Sequence, residues 1–362
     1  MARLRELGFT DSLVDQFESM DKTRDGTVDY LEWIDSLDPK ILGSQPLHEY
    51  VHTPMLSPEE LTQLDNMFER MYTLVETAKA GKVRLMIDAE QTYMQPAIDH
   101  IVMHLQRKYN RGDMPTVFGT YQVRARPSWL LTPWSAAAAT DLWAPMQAYL
   151  TDCESRMRLD MMRARREGFT FACKLVRGAY LVSENKLALE KGYKSPVHGS
   201  LEATHACYRA CTDLLMDNRD ISEVRSFSFA RAFVAWHVLK VVGGVWRGVC
   251  TRLSLVSLIA QFLFATHNED SVRYAVDKMD ALGIPRSGGG VYFGQLLGMC
   301  DPVSFALGAA GYEVFKYIPY GPVFDVVPYL IRRAEENSGL LGSAAKERRV
   351  LKEELVRRIY SP

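Results

Sequence analysis

"FLFATHNEDSVRYAVDKMDALG", residues 262 to 283, decides the fold. It opens with a short apolar run that lacks the alternation of a half-exposed strand. Polar residues from Thr266 to Glu269 follow, and then a helical pattern runs to Gly283. A buried strand feeding an amphipathic helix is the repeating unit of a parallel sheet covered by helices. The unit recurs along the chain. "VRLMIDAE" (83–90) precedes the helical pattern "MQPAIDHIVMHLQRKYN" (94–110), and "TVFGTYQ" (116–122), "FACKLVRGAY" (171–180), "VYFGQLLG" (291–298) and "VFKYIPYG" (314–321) are further buried strands.

Polar residues collect where each strand run ends: Asp88 and Glu90, Gln122, Arg177 and Tyr180, His267 and Asn268, Gln295, and Tyr317. In a (β/α)8 barrel the C-terminal strand ends form the active site. Six consecutive strands each delivering such a residue predict an α/β enzyme of the TIM-type barrel class, with the barrel spanning 57–362. "SPEELTQLDNMFERMYTLVETAKAGK" opens it with Ser57 as N-cap, Pro58 at the first helical position and Glu60 closing a capping box.

Residues 1–56 read as a separate helical segment. Within it, "DKTRDGTVDYLE", from Asp21 to Glu32, fits an EF-hand loop. Asp21, Thr23, Asp25, Thr27, Asp29 and Glu32 take the calcium-ligand positions, and Gly26 takes the sharp turn. Thr23 removes one charged ligand, and no second hand follows, so a structural loop is the competing reading.

Composition excludes several classes. The chain has 362 residues, 47% of them hydrophobic and 24% charged, with a formal net charge of -1. No basic excess points to nucleic acid. No uninterrupted apolar run reaches the roughly 18 residues of a membrane span. Six cysteines without a CxxC suit a reducing compartment. The amino terminus has neither the apolar core of a signal peptide nor the character of a good transit peptide.

One helix carries a candidate binding group. In "VVPYLIRRAEEN" (326–337), Arg332 and Arg333 follow Tyr329 by three and four residues, and Glu336 follows them by four and three. Two braced guanidinium forks beside a tyrosine suit a small carboxylate. A solvated helix end with ion pairs explains the same stretch.

Taken together, "LMIDAEQTY", "KLVRGAYL", "ATHNEDSV", "YFGQLLGMCD", "YIPYGPV" and "PYLIRRAEEN" resemble the proline dehydrogenase family, mitochondrial flavoenzymes built on a distorted (β/α)8 barrel. The resemblance implies oxidation of L-proline to 1-pyrroline-5-carboxylate. Hydride passes to FAD and electrons then pass to a quinone, on the matrix side of the mitochondrial inner membrane. It implies that Arg332 and Arg333 grip the proline carboxylate, braced by Glu336. Asp88 supplies a nearby carboxylate, Tyr329 packs on the substrate, and Leu297 is an apolar wall. For the flavin it implies Gln122, Lys174, Arg177, Gly178, Ala179, Tyr180, His267 and Asn268. Tyr317 crowds the place of a ring hydroxyl, which favours proline over hydroxyproline.

Two stretches depart from the family, residues 123–147 and 224–261. They hold five of the six tryptophans, yet Asp141 is their only acidic residue. Each begins Val-Arg and ends in Gln, which codons spanning a splice donor and acceptor can encode. They read as translated introns, with genuine loop insertions as the alternative. The family's first strand, which carries a lysine beside the substrate carboxylate, is not found before "VRLMIDAE". These departures predict weak activity for the chain as written. The rival functions are hydroxyproline oxidation and a catalytically inactive barrel serving as a binding or regulatory protein.

Overall fold

Every apolar run predicted as a strand forms one: β1 (Leu85–Ile87), β2 (Val117–Val123), β3 (Ala172–Arg177), β4 (Gln261–Ala265), β5 (Val291–Leu296) and β6 (Val314–Tyr317). The structure is a computed structural model that describes residues 9–22, 24–29, 32–33, 36, 55–112, 114–123, 153–177, 181–192, 195, 197, 200–220, 260–336 and 341–360. The side chains of 181–183, 201, 332–336 and 341–347 are outside that description. Helices fill the intervals: α1 (Asp11–Met20), α2 (Pro58–Ala80), α3 (Gln95–Tyr109), α4 (Cys153–Glu167), α5 (Leu181–Lys191), α6 (Leu201–Asp217), α7 (Glu269–Ala281), α8 (Asp301–Ala309), α9 (Val323–Glu336) and α10 (Leu341–Tyr360).

The strands make one parallel sheet in the order β1-β2-β3-β4-β5-β6. Leu85 pairs with Val117, Gly119 with Cys173, Ala172 with Gln261, Phe262 with Val291 and Phe293 with Val314. The order never reverses, so right-handed crossovers carry the helices that connect these strands to the same face. That is the order of a barrel wall, whereas a doubly wound sheet reverses partway. Where eight strands make the full class, six stand here among the described residues, with β1 and β6 as the sheet edges.

Alternation along the strands separates two cores. On the helix side, Tyr121, Phe171, Cys173, Leu175, Phe262, Phe264 and Phe293 pack with Met157, Met161, Tyr208, Leu215, Ala275 and Met279. On the inner side, Phe118, Ala172, Leu263 and Tyr292 form a smaller cluster. The Arg84 guanidinium lies 4.5 Å from the Tyr292 ring centre and donates to its hydroxyl at 2.8 Å.

Close approach between α3 and β2 requires Gly119. A Cβ there would stand 2.7 Å from Val102 Cγ1, inside any real contact. Gly119→Ala is expected to cost about 1–3 kcal/mol by overpacking. Adding Val102→Ala should recover part of that loss, as denaturant melts of the single and double variants will read.

The chain divides into two units, Met1–Gly81 and Lys82–Pro362. In the first, Leu13 and Met20 pack with Phe17, Val28, Trp33 and Met55. Helix α2 opens on the predicted capping box, with Ser57 N donating to Glu60 Oε2 at 2.8 Å and Glu60 N to Ser57 Oγ at 3.2 Å. Gly26 takes φ 84° at the turn of the EF-hand-like loop.

The carboxylates of that loop are turned onto its own backbone. Asp21 accepts from Asp25 N and Gly26 N at 3.1 and 2.8 Å, Asp25 accepts from Thr27 N at 2.9 Å, and Glu32, only 1% exposed, accepts from Asp29 N at 3.0 Å. Thr23 lies outside the described residues. Among the described residues no group of three or more His, Cys, Asp or Glu is placed to hold a metal. The structure therefore lends the calcium reading no support.

The stretches 123–147 and 224–261 fall almost wholly outside the described residues, which omit 124–152 and 221–259. Their ends do not. Val123 pairs with Arg177 at the end of β2, and Gln261 pairs with Ala172 at the start of β4, so each stretch contributes a strand residue. Among the described residues no helix is long and apolar enough to cross a membrane.

Candidate active site

The C-terminal ends of the strands carry the polar residues, as predicted, but on two different faces. Thr120 and Lys174 are register partners on β2 and β3, and Asp88 follows β1 directly. Lys174 Nζ forms an ion pair with Asp88 Oδ1. The lysine side chain is 14% exposed and that of the aspartate 57%, so the cation is sunk in the sheet and the carboxylate stands at its rim. Thr120 Oγ1 donates to Ile87 O at 2.8 Å and fixes the point where the β1 loop begins. The resemblance assigned Lys174 and Asp88 to different ligands, whereas the structure makes them partners.

The loop after β1 is held by three elements. Gln122, 9% exposed, donates from Nε2 to Glu90 O at 3.1 Å. Gln95 Oε1 accepts from Glu90 N at 3.0 Å. Glu184 on α5 accepts from Thr92 N and Thr92 Oγ1 at 2.8 and 2.9 Å.

Arg177 goes elsewhere. Its guanidinium donates to Thr266 Oγ1 and Ser271 Oγ, contacts His205 Nδ1 at 3.2 Å, and lies 4.3 Å from the centre of the Tyr208 ring. It thus reaches into the helix layer between α6 and α7, away from Lys174. Burial pushes its pKa down, but an arginine stays charged. Its buried Nε has no hydrogen-bond partner.

His267 is held in one tautomer. Its Nε2 accepts from Leu296 N at 3.1 Å, so the ring proton sits on Nδ1. Burial first, and Lys316 second, lower its pKa and keep it neutral at physiological pH. Asn268 caps α7, its Oδ1 accepting from Ser271 N and Ser271 Oγ, each at 2.9 Å. Gln295 faces α8, where Ser304 Oγ donates to its Oε1 at 2.9 Å.

At the β5–β6 end, Leu297 N donates to Tyr317 O at 3.0 Å. The Leu297 and Tyr317 side chains are 59% and 47% exposed. The Tyr317 and Tyr329 rings stand 6.2 Å apart, which brings α9 back against the end of β6. Positions 332, 333 and 336 lie one to two turns further along the same helix. The side chains of Arg332, Arg333 and Glu336, and the whole of Gly178, Ala179 and Tyr180, lie outside the described residues.

The arrangement suits an anionic aromatic ligand. A sunken ammonium, a neutral histidine whose ring proton sits on Nδ1, and exposed apolar and aromatic side chains all gather at one end of the sheet. Sequence reasoning missed Thr120, Thr92, Glu184, Ser271 and His205. Glu184 carried a usable signal, since it opens a helix four residues after Tyr180.

Comparison with known proteins bears on this site. A family model described as proline dehydrogenase matches residues 7–346, well beyond the stretch from 57 that the motifs cover. Human mitochondrial proline dehydrogenase 1 is 38% identical over 342 residues, covering 92% of this chain and 47% of that protein. The Xenopus laevis hydroxyproline dehydrogenase is 37% identical over 306 residues, covering 84% of this chain and 53% of that protein. The chain therefore spans about half the length of the curated relatives it matches. Among solved structures, proline utilization A from Bdellovibrio bacteriovorus, inactivated by N-propargylglycine, aligns with a TM-score of 0.53 at 19% identity, covering 74% of this chain and 21% of that one. At that identity the likeness shows the fold alone.

Proposed function

This chain belongs to the proline dehydrogenase family, and from that premise we propose that it oxidises L-proline to 1-pyrroline-5-carboxylate with FAD as hydride acceptor and a quinone as electron sink. When bound, FAD would supply the two-electron chemistry for which these residues prepare the site. The observation that carries the reading is the Asp88–Lys174 pair set at the same strand ends as the Leu297–Tyr317–Tyr329 wall.

The roles follow from the chemistry. Lys174 holds negative charge on the flavin, and the Gln122 amide and His267 Nδ1–H orient it. Gly178, Ala179 and Tyr180 continue from β3 as cofactor contacts, and Asn268 shapes the turn ahead of α7. Arg177 supports the cofactor from the helix side by fixing that turn through Thr266 and Ser271. Arg332 and Arg333 hold the proline carboxylate, with Glu336 bracing them, and Tyr329 and Leu297 enclose the ring.

Relatives named mitochondrial lead us to place the chain in the mitochondrion, with its quinone partner at the inner membrane. We also keep residues 123–147 and 224–261 as translated introns. Sequencing spliced transcript tests this, and both stretches in every message would end it.

The decisive experiment assays the chain as written beside a form lacking both stretches, for flavin absorbance and for turnover of proline and hydroxyproline. Flavin retained with proline turnover in either form supports the enzyme. No flavin in both forms sinks it and favours a binding or regulatory role. The hydroxyproline reading has its own support in the Xenopus relative. Tyr317→Ser is expected to raise the hydroxyproline-to-proline ratio of kcat/KM about tenfold by removing ring bulk at the substrate wall. An unchanged ratio would clear Tyr317 of that role.

A further inference from the structure

A buried carboxylate outside the expected machinery raises the question of what it holds. Glu184 lies in the first turn of α5 and is 1% exposed. A carboxylate that deeply buried survives only when hydrogen bonds replace its water. The amino-terminal turn of a helix favours negative charge there. Glu184 turns both oxygens onto one residue: Oε1 accepts the Thr92 backbone N–H at 2.8 Å, and Oε2 accepts the Thr92 hydroxyl at 2.9 Å.

Thr92 is not an arbitrary surface residue. It lies four positions after Asp88, in the loop whose other fastenings come from Gln122 and Gln95. Glu184 itself follows directly on the segment that leaves β3, the strand of Lys174. The Glu184–Thr92 contact therefore ties the Asp88 loop to the chain that carries Lys174, from the side opposite their ion pair along the sequence. The Gln122 and Gln95 side chains hold the start of the loop at Glu90, and the Gln95 N–H also donates to Gln91 O at 3.1 Å. Without Glu184 the segment from 91 to 94 loses the tie to the third strand unit that Thr92 makes.

We propose that Glu184 is a positioning residue for the reaction site, clamping the β1 loop through Thr92 so that Asp88 stays registered on Lys174. The inference rests on the proposed function for its kinetic consequence, though not for its structural one. Glutamine can keep both contacts, because the Thr92 hydroxyl can turn from donor to acceptor. Alanine loses both, and Thr92→Val loses one.

The test compares Glu184→Ala, Glu184→Gln and Thr92→Val with the parent chain. Amide exchange over residues 88–94 is expected to quicken at least about tenfold in Glu184→Ala and less in Thr92→Val, with Glu184→Gln near the parent. KM for proline should rise about tenfold in Glu184→Ala with a smaller change in kcat, and Gln should restore it. Unchanged exchange over 88–94 in both Glu184→Ala and Thr92→Val would overturn the proposal. So would faster exchange throughout the sheet in Glu184→Ala with Thr92→Val silent, because that marks a general fold defect. If no form of the chain oxidises proline, the functional reading falls by itself, and the exchange pattern still decides whether Glu184 holds the loop.

Discussion

Arg156→Met is expected to destabilise the sheet unit by about 3 kcal/mol. Arg156 on α4 is 12% exposed in its side chain and ion-pairs with Asp99 on α3. Gln95 Nε2 donates to the same carboxylate at 2.8 Å, and the guanidinium lies 5.6 Å from the centre of the Tyr121 ring. Deleting the cation leaves Asp99 without its charge partner beneath the helix layer. A third of that side chain still meets solvent, which places the cost at the low end for a broken buried pair. Pairing Arg156→Met with Asp99→Asn removes both charges and should return most of the loss. Denaturant midpoints of the two singles and the double close the cycle. A single variant as stable as the parent would show the pair to be worth nothing.

The same cluster sets a pH dependence. Tyr121 OH donates to Asp160 Oδ2 at 2.5 Å, and Arg163 reaches its other oxygen at 3.4 Å. Burial still dominates and pushes the Asp160 pKa from 3.8 to about 6. Burial raises Asp99 as well. A carboxyl whose folded pKa is raised favours folding in its protonated form. Its contribution is complete below the unfolded pKa and is lost as pH rises through the folded one. Stability should therefore fall as pH rises from about 3 to about 7, most steeply between the two pKa values, by up to about 3 kcal/mol in all for a shift of this size. Asp160→Asn keeps an acceptor for Tyr121 and should flatten that slope.

How much of this was legible depends on what kind of information each residue carries. Burial of the inner strands β2 to β5 leaves apolar runs, and the edge strands β1 and β6, though part exposed, keep runs apolar enough to read, so all six strands and their parallel pairing could be read from the chain. The Ser57–Glu60 capping box is local, and it formed as the spacing demanded. Side-chain direction was legible too, but only through parity. Lys174 and Arg177 stand three apart on one strand, and an odd interval puts them on opposite faces. The resemblance counts both among the cofactor residues, and parity separates their directions: the structure sends Arg177 among Tyr208, His205 and Ser271. Gln295 shows the same parity, one residue out of step with Leu296, and ends against Ser304. The Asp88–Lys174 pair and the Glu184–Thr92 clamp join residues 86 and 92 positions apart, and only the sheet register brings them together.

Arg332→Ala and Arg333→Ala should each lower kcat/KM for proline by about a thousandfold in whichever form of the chain turns over. A carboxylate held by a guanidinium fork, once half of the pair is truncated, loses 2–5 kcal/mol, which spans that factor. The fold places the test well. Helix α9 returns to the end of β6 through the 6.2 Å contact of Tyr329 with Tyr317, so positions 332 and 333 follow one turn beyond a residue of the proposed substrate wall. The expected cofactor residues stand instead on β2, on β3 and after β4. Flavin absorbance should therefore stay at the parent level while proline turnover collapses, and a non-oxidisable cyclic carboxylate should lose its perturbation of the flavin spectrum. Arg→Lys at either position should recover little, because an ammonium cannot match both carboxylate oxygens from one plane. Glu336→Gln should fall between these and the parent, since it removes only the brace. If both alanine variants instead keep proline KM and kcat, the pair belongs to a solvated helix end, and the substrate carboxylate must find its cation elsewhere, with Lys174 the first to examine.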